Sequence, residues 1–321
     1  MSNSSLTTLS ESSKNSFLRG LAISAVVAIH FLASFDNIYR LSNHNWYIFT
    51  SIDQLSRFSV PLFVALSGYG FWEKYLHANL RVWNFIYGQA SKLLPIYLLA
   101  SLTSYIVFLI IPTWRVASTP SSFLLQIMTG RADYQLYFIP MIFQLYLLFP
   151  LLRKLVQKFP WSSLLFAGVF ELGLYYVLTV QDLPATISKY LVSDQQQYLW
   201  FFTWIFYFIL GMHMGKIVTW FRHSLVRKLV LFITTTGSLL FVVSNAISQM
   251  SFGLDPIIAL RFTRIDVLIY ATFTIMSLFV LSSLLQNRAK SITHNLIKIG
   301  SVSYPVYLFH TLVLRLIFAF A

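Results

Sequence analysis

Apolar stretches long enough to cross a bilayer recur along this chain, at about residues 17–36, 56–74, 93–112, 134–152, 161–180, 197–215, 229–248, 265–285 and 299–320. A spanning α-helix needs about 20 such residues, because the hydrocarbon core is about 30 Å thick and a helix rises about 1.5 Å per residue. Within lipid every backbone N–H and C=O must be satisfied internally, which leaves helices as the form for segments of this length and continuity. The chain is 57% hydrophobic with a mean hydropathy of +0.69, too little polar surface to cover a water-soluble globule. The expected fold class is therefore all-α, a polytopic integral membrane helical bundle. It has nine transmembrane helices, or ten if a half-buried segment such as 42–52 or 120–129 also crosses.

The formal charge of +13 raises the question of a nucleic-acid partner, and the positions of the charges answer it. Basic residues cluster in alternate short loops: Lys14 and Arg19; Lys74, Arg81 and Lys92; Arg153, Lys154 and Lys158; Lys216, Arg222, Arg227 and Lys228; Arg288, Lys290 and Lys298. That is the cytoplasmic bias of membrane proteins rather than a nucleic-acid face. The intervening loops carry mixed or sparse charge: Asp36 with Arg40, Asp53 with Arg57, Arg131 with Asp133, Asp182 with Lys189 and Asp194, Asp255 with Arg261. The amino terminus is therefore expected inside. The chain has no cysteine, which excludes disulfides, thiol nucleophiles and thiolate metal sites. Residues 1–16 are polar and Ser-rich without the basic start and early apolar run of a secretory signal, so they are expected as a retained, disordered cytoplasmic tail before a single domain at 17–321.

Orientation converts positions into depths. The first span opens with Arg19 and reaches His30, eleven residues or just over three turns later, so both lie on one face with about 16 Å of rise between them. Arg19 falls at the cytoplasmic edge and His30 beyond the midplane. The last span runs the same way from Lys298, and His310 lies twelve residues along it, at a depth similar to that of His30. Ser67-Gly68-Tyr69-Gly70 falls near the cytoplasmic end of the second span, where glycine allows close approach of a helix or ligand. Glu171, midway along the fifth span, is the most deeply placed carboxylate and needs a partner, a proton or water.

RGLAISAVVAIH (19–30), RFSVPLFVALSGYG (57–70), KLLPIYLL (92–99), YFILGMHMGK (207–216) and SVSYPVYLFH (301–310), in this order, resemble the membrane-bound acyltransferase-3 family. Members commonly open with an arginine and a histidine about ten residues apart, carry a Pro-Phe-rich span ending in Ser-Gly-Tyr, and close on a Ser-Tyr, Tyr-Leu, His signature. The resemblance covers essentially the whole chain. It implies transfer of an acyl group, usually acetyl, from cytoplasmic acyl-coenzyme A to a sugar hydroxyl of a cell-surface polysaccharide or its lipid-linked precursor, in a bacterial plasma membrane. Acyl-coenzyme A is then a donor substrate, with no permanently bound cofactor. His30 matches the histidine held to be catalytic, and a near-neutral imidazole suits proton removal from the attacking hydroxyl. Arg19 matches the family arginine and is expected to hold coenzyme A phosphate or the developing oxyanion. Lys92, Ser67 and Gly68 mark the donor's approach, while His310, Tyr304 and Glu171 are candidates for the substrate side. The chain departs from the family in two places. Lys92 stands alone where many relatives have an arginine-rich stretch, and the fourth span opens Tyr134-Gln-Leu-Tyr rather than His-Leu-Trp.

Each candidate has a plainer reading. Arg19 alone is a topology anchor, and an intramembrane histidine such as His30 or His310 can simply bond a neighbouring helix. His213, between Gly211 and Gly215, reads as helix packing, and Ser67 lacks the Gly-x-Ser-x-Gly elbow of a nucleophile. Glu171 is open between a structural partner and a proton-relay acid. Tyr304 and Tyr307 read as packing aromatics, and Arg57 and Arg315 as side chains snorkelling at outer helix ends. Two histidines without a carboxylate cluster do not make a metal site. The rival from another class is a transporter or flippase of a glycan or lipid precursor, since polar groups inside a bundle also suit a substrate pathway. A non-catalytic partner in a glycan-assembly complex is the third.

Overall fold

The computed structural model describes residues 10–33, 45–114, 122–179, 198–285 and 291–320. All regular elements among the described residues are helical. In chain order they are α1 (Glu11–Ala33), α2 (Trp46–Ser56), α3 (Ser59–Tyr75), α4 (Val82–Ile110), α5 (Phe123–Thr129), α6 (Phe138–Lys158), α7 (Pro160–Thr179), α8 (Ile205–Arg222), α9 (Leu225–Ser251), α10 (Pro256–Ala259), α11 (Ile265–Leu284), α12 (Ser291–Ser301) and α13 (Ser303–Phe320). Helix α1 already begins at Glu11, so residues 11–16 are helical rather than part of the expected tail. Residues 1–9 lie outside the described residues, as do Asp36, Arg40, Asp182, Lys189, Asp194, Arg288 and Lys290.

Each of the nine expected segments carries a helix, but the nine or ten spans expected from sequence are not reached by length and apolarity. Among the described residues six helices are long and apolar enough to cross a membrane, namely α1, α4, α6, α7, α9 and α11, and the pair α12–α13 makes a seventh if counted as one. Local breaks account for the difference. Helix α3 has only 17 residues because the chain first forms the separate helix α2. Helix α8 starts at Ile205 rather than near 197, because Phe201–Thr203 form a 3₁₀ turn. The final apolar run breaks at Val302. Of segments 42–52 and 120–129, residues 42–44 and 120–121 lie outside the described residues, and the rest fall at the short helices α2 and α5.

The chain divides into two compact units, Met1–Tyr69 with Leu210–Tyr304, and Gly70–Ile209 with Pro305–Ala321. In the first, α1 packs on α2, α11 and α12, and α9 packs on α2, α10 and α11. The α1–α12 seam is backbone against backbone: a Cβ at Gly20 would overlap the Leu296 carbonyl, and one at Gly300 would overlap the Ser16 carbonyl. Small residues are how helices approach this closely where apolar burial gives no preference over lipid. Gly211 of α8 meets the Ala65 carbonyl of α3 in the same way.

The first unit also buries a chain of polar side chains. Arg57 donates to both oxygens of Asp53 at 2.9 Å, and Gln54 Nε2 donates to Asp53 at 2.9 Å. Arg264 Nη1 donates to Gln54 Oε1 at 3.4 Å, and Arg264 Nε donates to Asp266 at 3.0 Å. Asn245 donates to the other Asp266 oxygen at 2.7 Å. Arg57 is therefore paired rather than snorkelling. Charges removed from water persist when paired and hydrogen-bonded like this, and the network ties α2 to α9 and α11.

In the second unit α4 packs on α5 and α6, and α6 on α7. An aromatic cluster lies among them: Phe71, Phe85, Tyr146 and Phe149 pack with ring centroids 4.6–5.3 Å apart, largely edge to face.

Candidate functional site

Helix α1 presents Arg19 as an exposed side chain between the buried Leu18 and Gly20. The contact of Gly20 with α12 fixes the backbone beside it. None of the ion pairs among the described residues involves Arg19, so its charge is available to a ligand. Further along α1, His30 is half-buried in the last turn, one turn beyond the buried Val26.

The Ser67-Gly68-Tyr69-Gly70 end of α3 is tied to the start of this same helix. Tyr69 donates to Glu11 Oε2 at 3.0 Å, Lys14 pairs with Glu11 at 2.8 Å, and the Tyr69 ring packs edge-on to Phe279 at 5.2 Å. Ser67 Oγ donates to the Phe63 carbonyl at 3.0 Å, the bond of a serine turned back on its own helix. Gly68 is buried. A Cβ at Gly70 would meet nothing within 4 Å, so the close approach expected there is made instead by Gly211 against α3. His213, one residue after Met212 on the same packed helix, is buried.

The candidates thus divide between units. Arg19, His30, Ser67, Gly68 and Tyr304 belong to the first; Lys92, Glu171 and His310 belong to the second. Tyr304 is half-buried in the first turn of α13, and Lys92 is exposed on α4.

Glu171 has a structural task. Fully buried on α7, it accepts the Phe206 N–H at 3.0 Å, satisfying one of the orphan amides at the start of α8. The non-helical backbone leading into α8 is satisfied in the same manner. Gln144 donates to the Leu199 carbonyl at 2.9 Å and accepts the Phe201 N–H at 3.3 Å, and Tyr175 donates to the Thr203 carbonyl at 3.2 Å. Irregular backbone at this depth is tolerated where protein supplies such partners. The Phe206 backbone amide is thus a partner of Glu171.

His310 sits in a cluster that the sequence did not reveal. Asp133, read as a loop charge, is fully buried before α6, and Arg315 forks onto both its oxygens at 2.8 Å. Thr311 Oγ1 donates to Asp133 Oδ2 at 2.9 Å, and the Tyr134 N–H donates to Oδ1 at 2.8 Å. Arg315 also lies over the rings of Phe108 and Tyr134, at 5.0 and 5.6 Å. Arg315 is therefore not a snorkelling residue: its charge is consumed inside the fold. Gln135 donates to the Leu308 carbonyl at 3.1 Å and accepts the Tyr307 hydroxyl on its backbone carbonyl at 3.0 Å, so it bonds α13 twice. The available signal was the i,i+4 pair Thr311 and Arg315 beside His310, a polar stripe on an otherwise apolar helix.

Among the described residues no group of three or more His, Asp or Glu is placed to hold a metal ion. No curated protein and no solved structure matches the chain. The family model described as an acyltransferase domain does match, over residues 16–321, which takes in both units and every candidate residue above. The chain is a multi-pass membrane protein with acyltransferase character, and it belongs to the acyltransferase-3 family.

Proposed function

We propose that the protein is an O-acetyltransferase of a bacterial plasma membrane, moving an acetyl group from cytoplasmic acetyl-coenzyme A to a hydroxyl of a surface glycan or its lipid-linked precursor. The observation that carries this reading is α1: an exposed arginine that joins no ion pair among the described residues and, eleven residues on along the same face, a half-buried histidine, within a chain that belongs to an acyltransferase family. In this reading α3 and α8 also cross the membrane, giving nine spans with the amino terminus inside. The alternation of basic loops supports that orientation.

Arg19 holds a coenzyme A phosphate or the oxyanion of the tetrahedral intermediate. His30 takes the proton of the acceptor hydroxyl as its oxygen attacks the thioester carbonyl. The carbon–sulfur bond then breaks, and the coenzyme A thiolate leaves and is protonated. Ser67, bonded to its own helix, packs rather than attacks, so transfer is direct. Glu171 is occupied by the α8 amide and is assigned no step.

Membranes carrying the wild-type chain or His30→Ala, given acetyl-labelled acetyl-coenzyme A and lipid-linked glycan extracted from the host, test this directly. The expected result is label in alkali-labile ester that depends on His30. Wild-type labelling retained in His30→Ala removes His30 from the mechanism. Absence of labelling across several acyl donors and glycans removes the O-acetyltransferase reading and favours the transport of a glycan precursor.

A further inference from the structure

Helix α2, in the first unit, is amphipathic in the opposite sense to a helix that meets water. Its polar side chains are inside: Thr50, Asp53 and Gln54 are buried, and Arg57 just beyond is paired with Asp53. Its exposed side is apolar, made of Tyr47, Ile48, Ile52 and Leu55 at helical spacing. Two of its hydroxyls are turned back onto their own helix, Ser51 to the Tyr47 carbonyl at 2.7 Å and Ser56 to the Ile52 carbonyl at 2.8 Å. A surface helix in water shows the reverse pattern, so this face suits hydrocarbon. Eleven residues rise only about 16 Å, half of a bilayer core of about 30 Å, so α2 serves one leaflet. Thr50 donates to Met250 at 3.6 Å and Tyr270 donates to the Leu55 carbonyl at 2.7 Å, which seats α2 against the last turns of α9 and the first turns of α11. In the orientation proposed above this is the outer leaflet.

A cation stands beside that face. Of the two arginines between α9 and α11, Arg264 is spent on Asp266, Gln54 and the Ala259 carbonyl. Arg261 is half-buried, and it joins no ion pair among the described residues. Only its Nε is buried without a partner, so the two Nη groups, bonded to none of the described residues, open to the surface. The neighbouring residue is fixed to α2: Gln54 donates to the Leu260 carbonyl at 3.4 Å, and Trp46 packs against the cluster of Ala246, Met250, Ala259 and Leu260. This end of the first unit therefore offers an apolar strip for a lipid chain and a planar fork for a phosphate.

We propose that it seats a membrane phospholipid, with an acyl chain along Tyr47, Ile48, Ile52 and Leu55 and the headgroup phosphate on Arg261. Charge selects this occupant over a second copy of the chain, because a symmetric contact through the same patch brings a second Arg261 to the first. The inference depends on the membrane-spanning fold and not on acyl transfer.

The chain has no cysteine, so Ile52→Cys and Leu55→Cys each carry a single bimane label on this face of the full-length protein. Phosphatidylglycerol brominated on its acyl chains, titrated in detergent, is expected to quench both labels. Brominated diacylglycerol with the same chains is expected to need about tenfold more, and so is phosphatidylglycerol on an Arg261→Gln background, the value of one charge-assisted hydrogen bond. Arg261→Lys, which keeps the charge without the fork, is expected to shift the midpoint less, and it serves if Arg261→Gln does not fold. Equal midpoints for the two lipids overturn the proposal, as do unchanged midpoints in folded Arg261→Gln and Arg261→Lys. Labels quenched in liposomes by aqueous iodide and not by brominated lipid overturn it too. So do labels that quench one another between copies, which assign the face to a dimer. Displacement of phosphatidylglycerol by host lipid-linked glycan at a concentration below the phospholipid's own midpoint gives the seat to the glycan precursor and overturns the assignment.

Discussion

Helices α1 and α13 each carry an arginine and a histidine, yet they use the arginine in opposite ways. On α1, Arg19 is exposed and takes part in no ion pair among the described residues. On α13, Arg315 is forked onto a buried carboxylate and laid over two rings. A guanidinium whose donors are already taken holds a fold together, whereas one left open can bind a phosphate or stabilise developing charge. The contrast separates the two histidines as well: His30 lies beyond an open cation, and His310 beside a locked one. The residue type is the same in both cases, and the partner separates the roles.

The comparison breaks most visibly at His30. His30→Ala is expected to lower the transfer rate by about 10²–10⁴-fold with normal protein level, the range of a lost general base. A comparable loss in His310→Ala would erase the distinction between the helices. Next in size is the lock itself. Asp133→Ala leaves the half-buried Arg315 without its carboxylate and is expected to cost about 1–3 kcal/mol in reversible unfolding in mixed micelles. An effect below about 1 kcal/mol would show that the pair is not structural.

Arg19→Ala is expected to leave stability within about 0.5 kcal/mol, as an exposed side chain should. It is also expected to raise KM for acetyl-coenzyme A about 10–100-fold, the value of one charge-assisted hydrogen bond. Arg19→Lys should recover part of this loss, because it keeps the charge without the fork. Of similar size is Gly300→Ala, which forces α12 away from the Ser16 carbonyl and is expected to cost about 1–3 kcal/mol in unfolding. Glu171→Gln should change least, about 1 kcal/mol or below, because its amide oxygen still accepts the Phe206 N–H. Abolished transfer in a stable Glu171→Gln protein would restore the proton-relay reading.

Helices were legible wherever apolar runs were long, because hydrophobic length is a property of consecutive residues. The breaks were less legible. The Phe201–Thr203 turn sits inside an apolar run with no proline or glycine at the break, so nothing local announces it, whereas the interruption at Val302 lies between Gly300 and Pro305, a local signal that the length of the apolar run masked. At the site, Arg19 and His30 were visible because the spacing that puts them on one face lies within a single helix. Asp133 and Arg315 were not, since 182 residues separate them and each alone resembles an ordinary charge near a helix end.

From its residues alone this chain is determined to be helical and membrane-embedded, with a basic group and an imidazole on one face of its first span. Each of those properties follows from composition, segment length or the 3.6-residue helical period. The tertiary structure decided which charges are spent: that Arg57 and Arg315 are paired, that Glu171 serves a helix terminus, and that Arg19 joins no ion pair among the described residues. The reason is that burying a charge is costly until a partner meets it, and partners such as Asp133 for Arg315 come from parts of the chain that only folding brings together.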